Sequence, residues 1–290
     1  MTEVRRQKSE VRNEFFQNEF FPSPLVGEAR WGENSQSLST LPLPLPSRER
    51  EFFKGRVFSR FFLLLTSYFL LLTSASFAAT ITGKANFTGT PSAPQKLDMN
   101  ADPTCSSLHP EPVFSQDVVL NVDNMLQNVF VYVKEGLEPK TFETPKTPAT
   151  LDQKGCRYTP HVTGLQVGQT LEIINSDSTL HNVHGMPKES KEFNLGMPIQ
   201  GMKLTRKFDK PEVMVKFKCD VHPWMHAYLG VLPHPFFGVT GEDGSFEIKD
   251  LPAGTYTIEA WHEKFGTQAQ TVNVEESGSA VVDFHFEGGK

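Results

Sequence analysis

Residues 212–226 read EVMVKFKCDVHPWMH, and the rest of the chain takes its meaning from them. Val213, Val215 and Phe217 alternate with Met214, Lys216 and Lys218, the period of a strand. Three donors follow at once, Cys219, His222 and Met225, spaced C-x2-H-x2-M. Thirty-eight residues upstream, His181 follows the strand-like run LEIIN (171–175) within SDSTLHNVHG (176–185). A type-1 copper centre takes two imidazoles and a thiolate in a plane, with a weak axial thioether. One tight loop after a strand, plus a histidine from a neighbouring strand end, supplies that set. Taken singly, a cysteine at a strand end is most often a small core residue, and a histidine beside proline a loop residue. It is the combination that points to a metal, with His181, Cys219, His222 and Met225 as candidate ligands.

The surrounding chain reads as β throughout. VVLNV (118–122), NVFVYVK (128–134), QTLEIIN (169–175), GSFEIKD (244–250), GTYTIEAW (254–261) and SAVVDFHF (279–286) are short runs rich in β-branched and aromatic residues. Gly164, Gly168, Asn175-Ser176-Asp177, Asp243-Gly244 and Pro252-Ala253-Gly254 mark turns between runs. No segment carries a long helical period with caps. Short strands and regular turns predict sandwiches or barrels. Residues 80–140 form an N-terminal β region, 141–235 hold nearly all the candidate ligands, and 236–290 form a compact β module. TFETPKTPAT (141–150) reads as a linker or long loop.

The chain begins differently. FFLLLTSYFLLL (61–72) is an apolar run of 12 residues, short for a membrane span of about 20. Lys54, Arg56 and Arg60 precede it and SASFAA (74–79) follows, so residues 54–78 read as a secretory signal peptide cut after Ala78. An uncleaved anchor is the alternative; after cleavage no stable span is expected. Residues 1–53, rich in Pro, Ser and charge, read as a leader that is disordered or untranslated. The expected location is periplasmic or secreted. Residues 1–78 hold ten Lys/Arg and eight Asp/Glu, leaving 18 basic and 26 acidic residues in the part expected to fold. The formal charge of the whole is -6. A nucleic-acid partner has no electrostatic support, whereas a basic protein would be steered toward the acidic portion.

IINSDSTLHNVHG and KCDVHPWMHAYLGV resemble the cupredoxin family of blue type-1 copper proteins, and the short loop is similar to that of amicyanin and plastocyanin-like members. The likeness spans roughly residues 155–233. It implies a Greek-key β-sandwich holding one type-1 copper, with His181, Cys219 and His222 as ligands, Met225 axial, and Asn182 holding the loop near the sulfur. It also implies that His222, beside Pro223 and Trp224, is the exit for the electron. The sequence departs from the family in His184, His226 and extra methionines. His184 lies three residues from His181, so on a regular strand it faces away and is a further ligand only if the chain bends there; His226 is either a further ligand or turned outward. Met186, Met197, Met202 and Met214 are either core packing or thioethers for carrying Cu(I).

Two cysteines remain. In an oxidising compartment Cys105 and Cys156 are expected to pair; the alternative is a second metal site at Cys105, His109, Cys156 and His161. Residues 236–290, through TGEDGSF (240–246) and LPAGTY (251–256), resemble the carboxypeptidase regulatory-like, or transthyretin-like, small β-sandwich. That family opens with strands like ITGKANFTG and NVFVYVKEG, so residues 80–140 complete either this module or the cupredoxin. The fold class is therefore all-β, a cupredoxin sandwich plus a second, smaller one. The expected function is single-electron transfer, to a partner such as a c-type cytochrome or a periplasmic dehydrogenase. A periplasmic copper carrier or chaperone is the alternative. Copper oxidases resembling this family need several His-x-His pairs, and the nine histidines here contain none; no enzymatic role is expected.

Overall fold

The computed structural model describes residues 79–276 and 278–288. The leader and signal peptide expected over residues 1–78 lie outside them. Among the described residues, no helix is long and apolar enough to cross a membrane. The architecture is all-β, with one short helix among the described residues, α1 (Pro103–Ser107).

Two sandwiches share the chain. The first is built from β1 (Ala79–Thr88), β2 (Phe130–Glu135), β12 (Phe237–Val239), β13 (Ser245–Leu251), β14 (Gly254–His262), β15 (Gly266–Val274), β16 (Ser279–Val281) and β17 (Phe284–Glu287). One of its sheets runs β13-β1-β16, with β17 also on β1; the other runs β12-β2-β14-β15. Ile81, Phe246, Ile248 and Phe284 from one sheet meet Val131, Val133, Ile258 and Ala260 from the other in one core. The early strands thus pair with the C-terminal module. The chain leaves that sandwich after β2 and rejoins it at β12.

Between those points lies the second sandwich, with β3 (Ala149–Gln153), β4 (Tyr158–Thr159), β5 (Val162–Gln166), β6 (Leu171–Asn175), β7 (His181–Met186), β8 (Phe193–Met197), β9 (Lys203–Arg206), β10 (Glu212–Lys218) and β11 (His226–Leu232). Its sheets run β5-β11-β10-β7-β8 and β4-β3-β6-β9. Leu151, Tyr158 and Ile173 face Leu165, Val183, Val215, Phe217 and Leu229 across its core. The expected linker over 141–150 ends early, since Ala149 and Thr150 already pair with β6.

The sandwiches meet through β2, which is buried on both faces. Val131 and Val133 point into the first core, while Phe130 and Tyr132 point the other way, onto Val162 and Leu232. Gly164 of β5 and Gly230 of β11 are register partners. The Phe130 ring lies over both, so close that a Cβ on Gly230 would sit 2.2 Å from it.

Two expected strands differ. VVLNV (118–122) makes only an isolated bridge at Leu120. Asn121 Oδ1 accepts from the N–H groups of Asp123 and Met125, so a side-chain turn competes with the ladder. SAVVDFHF is broken into β16 and β17, and between them the Val282 carbonyl crosses β1 at Gly83, where a side chain would collide with it.

Candidate metal centre

The β10 strand delivers Cys219 to the end of the five-stranded sheet, and residues 219–225 then close on themselves. The Cys219 N–H donates to the Met225 carbonyl (3.1 Å) and the Met225 N–H to the His222 carbonyl (2.9 Å). Antiparallel pairing of β7 with β10 sets His181, the first residue of β7, beside that loop. One donor atom from each of His181, Cys219 and His222 lies within 4.8 Å of the others. The two Nδ1 atoms are 2.9 Å apart, and Cys219 Sγ is 3.7 Å from His222 Nδ1. All three side chains are buried. Met225 is buried in the same core cluster as Cys219.

The outer nitrogen of each imidazole is taken by a carboxylate. His181 Nε2 lies 2.9 Å from Asp177 Oδ2, and His222 Nε2 lies 3.0 Å from Asp102 Oδ2. Asp177 is itself held by the N–H groups of Gly155 and Cys156. Asp102 caps α1, accepting from the N–H groups of Thr104 and Cys105, and also accepts from the Thr179 hydroxyl. Carboxylates behind both imidazoles fix ring orientation and tautomer, leaving Nδ1 free to bind, as metal-ligating histidines require. Burial would raise the Cys219 thiol, yet hydrogen bonding to His181 and to the backbone of Asn182, His222 and Val221 outweighs it and takes the thiol below its usual range. Two oriented imidazoles and a buried cysteine sulfur are a donor set that fits copper.

Asn182 pins the loop: its Oδ1 accepts from the N–H groups of Asp220 (2.6 Å) and Val221 (3.3 Å). Tyr158 straps the strands below, its hydroxyl donating to the Asn182 and Lys218 carbonyls. The sequence assigned no role at the centre to Asp102 or Tyr158 and only a turn to Asp177. A signal existed for the aspartates, Asp102-Pro103 as a helix start and Asp177 in the turn before His181, but nothing local linked either to a histidine.

The remaining candidates part from the centre. His184 turns outward to Asp220 and Glu192, and His226 to Glu263 and Asp117. Met197, Met202 and Met214 pack into two different clusters, while Met186 is exposed. Cys105 and Cys156 form a disulfide. The alternative four-residue site is not assembled, because His109 contacts the Gly155 carbonyl and His161 contacts Glu263. The His222 ring itself is only 2% exposed, covered by Asp102 and by Cys105, whose Sγ lies 3.6 Å from Nε2.

Residues 236–287 match the carboxypeptidase regulatory-like domain. No curated protein matches the chain. Among solved structures, a purple cupredoxin from Nitrosopumilus maritimus is 23% identical over 29% of this chain and 98% of its own, with a TM-score of 0.25. An oxidized amicyanin variant is 18% identical over 34% of this chain and 99% of its own, with a TM-score of 0.27. A copper-containing nitrite reductase from Thermus scotoductus is 20% identical over 33% of this chain and 25% of its own, with a TM-score of 0.28.

Proposed function

We propose that the chain binds one type-1 copper through His181, Cys219, His222 and Met225 and passes single electrons. The observation that carries this is the pair of inward-facing Nδ1 atoms around Cys219 Sγ, each ring backed by its own carboxylate. Copper would supply a one-electron couple. The protein's part is to keep the donors still: Asn182 fixes the loop, Tyr158 ties β7 to β10, and Asp177 and Asp102 prevent ring rotation. Little rearrangement between oxidation states is what rapid electron transfer needs. The carrier alternative draws less support, since three of its four methionines are packed against apolar clusters.

The disulfide favours an oxidising location, periplasmic or secreted. Leu180 and Val221, each beside a candidate ligand, are 45% exposed, and Pro223 is exposed too. That apolar rim on an acidic protein suits a basic redox partner such as a c-type cytochrome. The test is an absorption and EPR spectrum of the copper-loaded protein. An intense thiolate-to-copper band is expected, lost in Cys219→Ser; a band surviving that substitution would overturn the ligand assignment.

A further inference from the structure

Met225 and His226 are adjacent, and in extended chain neighbouring side chains point to opposite sides. Met225 is buried in the core that holds Cys219; His226 faces the first sandwich. There it meets His161, which precedes β5, and Glu263, which follows β14. His226 Nε2 is 3.3 Å from Glu263 Oε2 and 3.2 Å from Asp117 Oδ1. His161 Nε2 contacts the other oxygen of Glu263. The His161 and Glu263 side chains are 2% and 5% exposed. His226 and Asp117 lie at the partly exposed edge, at 21% and 23%.

We infer that His161, His226 and Glu263, whose donor atoms lie within 4.8 Å of one another, form a second metal site with Asp117 at its rim, taking a divalent first-row ion such as Zn2+ and bridging the two sandwiches. Donors about 2.0–2.1 Å from zinc stand roughly 3.3 Å apart at the corners of a tetrahedron, which matches the contact between His226 and Glu263. Two imidazoles and one carboxylate, with a fourth position open, are an ordinary ligand set for such an ion. Lys264 Nζ, 2.7 Å from Asp117 Oδ2, pairs with the outer carboxylate, and Glu263 faces the two imidazoles. Both histidines come from the inserted sandwich. Glu263 comes from the first, and Asp117 from the segment between β1 and β2.

The site does not depend on copper at Cys219. Equilibrium dialysis against Zn2+, in a Cys219→Ser background that removes the thiolate, should find one tightly held equivalent that raises the melting temperature. Glu263→Gln and His161→Gln should each abolish that equivalent and the thermal shift, while on the unsubstituted background they leave the copper absorption band in place. Should either variant fail to fold, His226→Gln, at the partly exposed edge, decides by weaker Zn2+ binding. Identical Zn2+ affinity with and without Glu263→Gln, or with and without His226→Gln, would overturn the site. A missing copper band with intact Zn2+ binding would instead fault the copper assignment alone.

Discussion

At the scale of single residues, the centre depends on side chains that never touch the metal position. Asp102 accepts from the backbone of α1 with one oxygen and faces His222 Nε2 with the other. In Asp102→Asn the remaining oxygen can keep the helix cap, but the amide sets a donor against the imidazole N–H. A chelator-competition titration should show copper affinity falling about 10–100-fold with little change in global stability; unchanged affinity would remove Asp102 from the design. His234 offers a separate prediction, about stability. It is buried against Phe142 and Phe236, and its Nδ1 accepts the Phe236 N–H (3.3 Å), which only the unprotonated ring can do. Burial holds its pKa below the ordinary histidine value. The unfolded chain then binds a proton that the folded chain resists. This contribution is full above about pH 6.5 and is lost as pH falls below it. Urea unfolding of His234→Gln between pH 7.5 and 5 should show a flatter pH dependence than the parent; parallel curves would refute the assignment.

At the scale of elements, α1 is the piece whose role is least apparent from its length of five residues. It carries Asp102 at its start and Cys105 within it, and the Cys105–Cys156 bridge holds both over His222. The bridge closes a separation of 51 residues, worth about 4 kcal/mol in the loop-entropy model. Thiol titration of the denatured protein with a chelator present should count one reactive group, Cys219; three would discard the bridge. Cys105 lies against a candidate ligand, its Sγ 3.6 Å from His222 Nε2. A Cys105→Ala/Cys156→Ala double variant should therefore lose stability by roughly 2–5 kcal/mol and also show a shifted visible band. A band identical to the parent's would mean that α1 keeps its place without the bridge.

At the scale of the whole molecule, one aromatic ring and two glycines fasten the sandwiches together. Phe130 is fully buried on Gly164 and Gly230, so a side chain at Gly230 has nowhere to go. Gly230→Val should destabilise by about 1–3 kcal/mol through overpacking, and Phe130→Leu in the same chain should recover part of that loss. Additive effects in a double-mutant cycle by urea denaturation would show that the two residues do not share this contact. The same docking brings Glu263 to His161 and His226, so loosening it should weaken the second metal site as well.

What the sequence determined by itself was local. Alternation gave away β2, β6, β10, β13 and β14, because a strand with one or both faces buried must repeat its apolar residues at a fixed period. C-x2-H-x2-M announced itself because its three donors lie on one loop whose spacing is the geometry. The oxidising pair of cysteines was legible from compartment chemistry. Tertiary structure decided everything that joins residues far apart in the chain. Which sandwich β1 and β2 enter depends on long-range pairing with β12 to β17, and the local pattern is equally suited to either. Asp102 reaches His222 across 120 residues, and Glu263 reaches His161 across 102. No local period encodes such contacts; they exist only once two cores have packed and their loops are held against each other.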